Sequence, residues 1–393
     1  GRNSGKNPER ITTSDELAEV QAALEGEGAC EVMESKKERQ EYSPLSFDLT
    51  TLQRHGSNLW RWSAKYTLDI AQTLYEEYKL ITYPRTDSCH LPTDMRDSID
   101  ELITELSKQD DYSEHCRRLA DDGLTNTARN FNDAKVSDHY AVIPTGNNPP
   151  ANLPAPARQL YDHITRRFLA SFHPHATWLD AKRVATKNDQ ILTAKASTLE
   201  VAGWRAVIPK PNSSPEGWGV LAETPCIGEI AAIEVQQKQT KPAPRMKDAG
   251  VLSAMENAGK IIDDEEFREA ISEKGLGTPA TRADHIEKLI SHSYIERLKS
   301  GGLRATAKGI RLIEVLRRIP VNWLSSPELT GEMESRLSGV QQGTFGSAEY
   351  MMEINHKVIA MVESVKGYES DTLYPHDQPL GDCGAQRVHV VFG

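Results

Sequence analysis

Apolar positions three and four residues apart recur along much of the chain, and they predict helices over most of its length. The run "TSDELAEVQAALEGEG" offers Thr13 or Ser14 as a cap and closes on Gly26. "ACEVMESKKERQEYSP" alternates weakly and predicts a strand running into a charged, Pro-ended linker. "SFDLTTLQRHGSNLWRW" predicts a helix with Leu49, Leu52 and Leu59 apolar. Ser63 then caps a helix that places Ala64, Leu68, Ala71, Leu74, Tyr75 and Tyr78 on one side. It delivers the chain into "KLITYPR", an apolar run that ends on Tyr83. From Pro92 to about Phe172 the pattern stays mostly helical. The exception is "DAKVSDHYAVIPTGNNPP", a loop holding a short apolar run.

The period then changes. "ATWLDAKRVATKNDQILTAKASTLEVAGWRAV" alternates and carries turn residues, so it predicts more than one strand. "IAAIEVQQKQTKPAPR" predicts another strand ending in a Pro-rich turn. Helical periodicity returns in "AGVLSAMENAGKIID" and "EEFREAISEKG". "TPATRADHIEKLISHSY" has Thr278 as its cap and Pro279 at its first position. "YIERLKSGGLRAT" predicts a hairpin turning on Ser300-Gly301-Gly302, and "AKGIRLIEVLRRIP" a helix stopped by Pro320. Helix, tight hairpin, helix is the outline of a winged helix.

Composition narrows the class. A chain of 393 residues suggests two to four domains. No stretch approaches the roughly 18 consecutive apolar residues of a membrane helix, and the polar start "GRNSGKNPER" has no signal-peptide pattern. The cysteines Cys30, Cys89, Cys116, Cys226 and Cys383 form no Cys-x-x-Cys pair. They give no support to a zinc site and read as reduced, cytosolic thiols. A net charge of -11 argues against a nucleic-acid binder. Its distribution qualifies that: Gly275 to Arg318 holds nine Lys/Arg against four Asp/Glu, while Gly1 to Thr50 holds six against eleven. An island that meets a polyanion and a solvated basic helix face fit this count equally well.

Two stretches carry candidate chemistry. In "GLGTPATRA", Gly275 to Ala283, glycines precede a helix start with Thr278, Thr281 and Arg282 in the first turn. Backbone N–H groups and the helix dipole there favour an anion, and an arginine can fork onto phosphate oxygens. A glycine loop before a capped helix is also common as plain structure; the basic surroundings tip the reading towards phosphate. In "KLITYPRTDS", Tyr83 as a nucleophile needs help, because a free phenol ionises near pH ~10. Arg85 in the same extended segment could stabilise the phenolate and grip the phosphate under attack. Pro84 stiffens the segment. Spacing alone favours the plainer reading of Tyr83 as a half-buried strand residue. His139, in "SDHYAVIPT", fits a hydrogen-bonded structural histidine, or a contact to phosphate or an acidic partner.

Six segments in fixed order now point to a family: "SFDLTTLQR", "SAKYTLDIAQTLYEEYKLITYPRTDS", "KVSDHYAVIPT", "VLSAMENAGK", "GLGTPATRADHIEKLI" and "SPELTGEMESRL". Together they resemble the type IA DNA topoisomerases, bacterial topoisomerase III among them, over about residues 10–375. The resemblance implies a multidomain α+β fold: a torus with a helical base, a tyrosine-carrying helical domain, a β-rich arch and winged-helix-like elements. Residues 1–45 would start the base and arch, 46–173 carry the tyrosine, 174–245 form the arch, 246–365 the helical base, and 366–393 a tail. It implies that Tyr83 attacks DNA to give a 5′-phosphotyrosyl link, that Arg85 positions the scissile phosphate and that His139 belongs to the active site. Thr281 and Arg282, beside Thr278, would contact the DNA backbone. "SPELTGEMESRL" would be structural.

The implied reaction is cleavage of one DNA strand, passage of another and religation. It needs no ATP, and the chain has no P-loop. The family's magnesium is held by a TOPRIM domain with a Glu, a Lys and an Asp-x-Asp pair; no Asp-x-Asp occurs here, and the chain opens past that domain's end. The relatives' zinc modules have no counterpart in "LGDCGAQRVHVVFG". A truncated gene product, a fragment and a split enzyme all fit. The implied partner is single-stranded DNA, with room for a TOPRIM-containing chain and a helicase and no role for a membrane. The implied place is the bacterial cytoplasm, on nucleoid or plasmid DNA. A catalytically inactive single-stranded DNA-binding fragment is the alternative. A winged-helix regulator would leave "ITYPRTDS" unexplained.

Overall fold

A computed structural model of the chain describes residues 11–214, 218–219, 221, 223–261, 265, 275–318, 327–367, 378–383 and 386–390. In chain order its elements are α1 (Ser14–Glu25), β1 (Cys30–Glu41), α2 (Leu49–Trp60), α3 (Ala64–Glu76), α4 (Arg96–Leu106), α5 (Asp110–Asp122), α6 (Thr127–Asn130) and α7 (Ala155–Phe172). There follow β2 (Ala176–Lys187), β3 (Gln190–Val201), β4 (Cys226–Gly228), α8 (Asp248–Glu256), α9 (Pro279–Ser291), β5 (Ile295–Arg297) and β6 (Leu303–Ala305). The last are α10 (Ala307–Arg318), α11 (Pro327–Gln342), α12 (Ser347–Lys366), β7 (Gln378–Cys383) and β8 (Gln386–Val390). The expected mixed α+β class is observed.

The chain divides into two compact units with interleaved segments. The first takes residues 1–47, 78–82 and 88–242; the second takes 48–77, 83–87 and 243–393.

In the first unit a four-stranded antiparallel sheet runs in the order β3-β2-β1-β4. β1 pairs with β2 along all but its first residue, from Glu31 opposite Thr186 to Glu41 opposite Ala176. The segment expected to leave the strand as a charged linker therefore stays in it, because ladder pairing overrides the weak strand preference of Glu and Lys. β2 turns into β3 through Asn188 and Asp189, both at positive φ (46° and 61°), as a tight two-residue hairpin requires. The strand expected on "IAAIEV" is not formed: residues 230–245 lie outside any ladder, and the edge of β1 is taken instead by β4. The helical part of the same unit rests on i, i+4 spacing. Leu160, Ile164, Phe168 and Phe172 of α7 are fully buried, as are Ile99 and Leu106 of α4, and α5 adds Tyr112, Cys116 and Leu119. Each such aliphatic side chain contributes about 1.5–3 kcal/mol.

The second unit is built from α2, α3 and α8 to α10, with α11 and α12 following. Asp48 caps α2, accepting from Thr51 N–H at 2.6 Å while its own N–H donates to the Thr51 hydroxyl at 3.1 Å. Ala64, Leu252, Ala283, Ile286 and Leu303 form one buried cluster drawn from α3, α8, α9 and β6. A charged tie lies beside it. Asp248, 2% exposed, accepts from Ala64 N–H at 2.9 Å and from Arg297 at 2.9 Å, and Arg297 also reaches Glu287 at 2.8 Å. The helix–hairpin–helix outline is present as α9, β5–β6 and α10, with Gly301 at φ 81° in the turn. Gly309, early in α10, lies so close to the Tyr294 carbonyl that a Cβ there would collide with it. The body of the helix expected on "EEFREAISEKG" and the stop expected at Pro320 lie outside the described residues.

Candidate active site

The approach to Tyr83 is fixed by an irregular ladder rather than by the strand that the apolar run predicts. Leu80 and Ile81 are buried, and Ile81 forms an isolated antiparallel bridge with Pro144. Thr82 makes three bonds to the run that follows His139. Its N–H donates to the Ile143 carbonyl at 2.9 Å, and its hydroxyl donates to the Ala141 carbonyl at 2.9 Å and accepts from Ile143 N–H at 3.0 Å. Ala141, Val142 and Ile143 are themselves buried, and Val142 N–H donates to the Phe47 carbonyl at 2.7 Å. The short apolar run inside a loop is thus the ladder partner of the stretch leading into Tyr83.

Tyr83 and Arg85 belong to the second unit and are both half-buried. The Tyr83 ring meets Tyr75 of α3 edge-on, with centroids 5.5 Å apart. Beyond Arg85 the chain is pinned again: Thr86 is 2% exposed, and its carbonyl accepts from Leu49 N–H at the start of α2 at 3.0 Å. Tyr83 and Arg85 therefore sit on a short irregular segment whose flanking residues, Thr82 and Thr86, are each hydrogen-bonded. His139 lies in the first unit and is exposed.

At the start of α9, Thr278 and Thr281 are exposed. Thr278 N–H donates to the Thr281 hydroxyl at 3.1 Å, and the two hydroxyls lie 3.1 Å apart. Gly275 and Gly277 supply the positive φ values, 66° and 69°, that bend the chain into this helix start. Arg282 differs from the expected outward fork. It is 3% exposed and donates to the Leu276 carbonyl at 3.3 Å and the Thr50 hydroxyl at 3.1 Å. Burial draws its guanidinium below the usual arginine range, while Glu256 and Asp48 pull the other way. In this arrangement Arg282 fastens the glycine loop to α2.

Among the described residues, no group of three or more His, Cys, Asp or Glu side chains is placed to hold a metal ion.

Comparison with known proteins settles the family. The family model described as DNA topoisomerase matches residues 2–352. The chain belongs to the type IA DNA topoisomerase family. DNA topoisomerase 3 of Bacillus licheniformis is 34% identical over 97% of the chain, and that of Bacillus subtilis 33% identical over the same share. This topoisomerase chain spans about half, 53%, of the length of both curated relatives. Full-length topoisomerase I from Thermotoga maritima shares its fold, with a TM-score of 0.68 and 21% identity over 98% of this chain and 60% of that one.

Four neighbours of the candidate residues escape the sequence reading: Thr82, which precedes Tyr83, Tyr75 beside its ring, and Thr50 and Asp48 near Arg282. Thr82 left one signal, a hydroxyl inside an apolar run, which asks for a partner when buried. The roles of Thr50 and Asp48 rest on tertiary neighbours more than 200 positions away and leave no local trace.

Proposed function

We propose that this chain carries the nucleophile of a type IA topoisomerase III-like enzyme and acts on single-stranded DNA. Tyr83 attacks a backbone phosphorus: its oxygen–phosphorus bond forms as the bond to the 3′ oxygen breaks. The tyrosine proton is lost and the departing 3′ oxygen gains one. One phosphodiester replaces another, so the reverse reaction reseals the strand after passage of a second strand, without nucleotide hydrolysis. Arg85 holds the phosphate under attack. Thr278 and Thr281, at the positive end of α9, contact a neighbouring phosphate, and Arg282 keeps their loop in shape. His139, in the first unit, contacts a DNA phosphate. The observation that carries this reading is the pinned Tyr83–Arg85 segment within a chain of this family.

Bacterial nucleoid or plasmid DNA is the natural substrate class, and a helicase is the kind of partner that would supply single strands. Among the described residues, no helix is long and apolar enough to cross a membrane.

The test is an adduct trap. The chain is mixed with labelled single-stranded DNA and magnesium, with and without an added TOPRIM domain from a relative, then quenched with SDS. A protein-linked band that disappears in Tyr83→Phe supports the reading. DNA retarded in native gels but never linked would leave a DNA-binding module and defeat the catalytic proposal.

A further inference from the structure

The sheet of the first unit has two unlike faces. On one, Ala181 and Ala196 are buried, and the charges are matched: Glu34 pairs with Arg183 at 2.5 Å and with Lys36 at 3.3 Å. Ser214 closes over this side through the Thr198 hydroxyl at 2.7 Å, and Arg183 stacks on Trp218 at 4.3 Å.

The other face is open and cationic. Register places Ser35, Lys182 and Lys195 in one cross-strand row and Lys37, Asp180 and Ser197 in the next, with Arg39 one step further along β1. These rows border a shallow hollow of about 370 Å³. Asp180 is the one carboxylate in them, and it is committed: it accepts from Arg39 at 2.7 Å and from Ser197 at 2.5 Å. Lys37 faces Asp180 across the strands and helps hold its carboxyl below the usual range; among the described residues Lys182 and Lys195 make no ion pair, and all three lysines are exposed. Lys182 and Lys195 stand directly opposite each other. Like charges in that relation destabilise a sheet. Lys37 lies on the diagonal from Lys182, about 7–8 Å away by sheet geometry. The fold therefore concentrates an excess of positive charge, four cations to one carboxylate, on one face of a chain whose net charge is -11.

We propose that this face, through Lys37, Lys182 and Lys195, binds the phosphate backbone of a single DNA strand, as a contact separate from the residues around Tyr83. The inference rests on the reading of the chain as a DNA-acting protein. A polyanion with a regular charge repeat suits cations spaced by strand register. It also relieves the repulsion between Lys182 and Lys195. Among the described residues, no exposed aromatic ring lines the hollow, so recognition there is of the backbone and indifferent to base sequence.

The test measures binding of a fluorescent oligothymidylate to the full chain over a salt series. Three variants are compared with the unmodified chain: Lys37→Gln/Lys182→Gln/Lys195→Gln, the corresponding triple Lys→Arg, and each single Lys→Gln. Each phosphate contact on a single strand contributes about 0.7 to the log–log salt slope. The triple Gln variant is expected to flatten the slope by about 2 and to weaken binding at ~0.1 M salt by about tenfold or more. The single variants are expected to account for that change in steps, and the Arg triple to retain the slope. A Gln triple that binds like the unmodified chain overturns the proposal. So does an Arg triple that loses as much as the Gln triple. Unchanged DNA binding with lost binding of poly-glutamate would assign the face to an acidic polypeptide and overturn it as well. Absence of DNA binding by the unmodified chain would instead defeat the functional reading on which the inference rests.

Discussion

The Thr82 hydroxyl donates to the carbonyl of Ala141 at 2.9 Å, joining the residue before Tyr83 to the residue two after His139. Two stretches that sequence places about 60 residues apart are thereby locked in one register. Thr82→Val keeps the shape and removes the hydroxyl, leaving the Ala141 carbonyl without this donor. We expect a loss of about 1–3 kcal/mol in denaturant unfolding and a reduced adduct yield, with Thr82→Ser restoring most of both. Full adduct yield in the valine variant would show that this register does not serve Tyr83.

Asp248 holds the Ala64 amide and the Arg297 guanidinium while almost wholly buried. Asp248→Ala strands the Ala64 amide and leaves Arg297 with Glu287 alone. The expected destabilisation is about 3–5 kcal/mol, read as a lower denaturation midpoint. Asp248→Asn, which keeps one acceptor, should fall in between.

Arg282 is turned inward, so its charge meets no solvent counterion. Arg282→Lys loses the fork to Leu276 and Thr50. It should lower the melting temperature by several degrees, equivalent to about 1–3 kcal/mol. It should leave the salt slope of single-strand binding unchanged. A slope flattened by about 0.7 would show instead that the guanidinium reaches a phosphate.

Glu41 accepts from Arg205 at 2.5 Å and from the Trp178 indole at 2.7 Å. These bonds, the Arg205 one foremost, hold its carboxyl below the ordinary value of 4.5. A carboxyl depressed in the folded state stabilises above its unfolded pKa and loses that contribution as pH falls through the folded one. The stability gap between the unmodified chain and Glu41→Gln is therefore expected to be full at pH 7 and to narrow progressively as pH falls below the ordinary 4.5. Melting curves across pH 3–8 would reveal it; a gap independent of pH would rule out the ionic bond as its source.

Gly309→Ala adds a methyl against the Tyr294 carbonyl. Helix propensity favours alanine by about 1 kcal/mol, yet the collision is with backbone and should dominate. The expected net change is a loss of about 1–3 kcal/mol. A stabilised variant would show that α10 shifts freely.

Much of this was legible beforehand. Thr13, Ser63 and Thr278 mark helix starts because a cap is a local device, and the hairpin at Gly301 follows from its turn residues. Tyr83 and Arg85 stand out as a candidate pair only by their place in an ordered set of segments. What local pattern withholds is pairing. The "IAAIEV" run has strand composition, yet Cys226–Gly228 takes the edge of β1. The "KLITYPR" run forms a bridge only, since its partner is the brief Ala141–Ile143 run. The inward turn of Arg282 was illegible for the same reason: its acceptor Thr50 is remote in sequence.

The long ladder between β1 and β2 bears on how the chain is made. Glu41 leaves the ribosome about 135 residues before its partner Ala176. At ordinary rates of synthesis that is a wait of roughly 7–27 s. For that interval β1 is a twelve-residue strand without its mate. Its run of Glu, Lys and Arg is the kind of sequence that keeps an orphan edge from pairing with a neighbour's. The charges that make this strand hard to recognise are also what lets it wait safely in a crowded polysome.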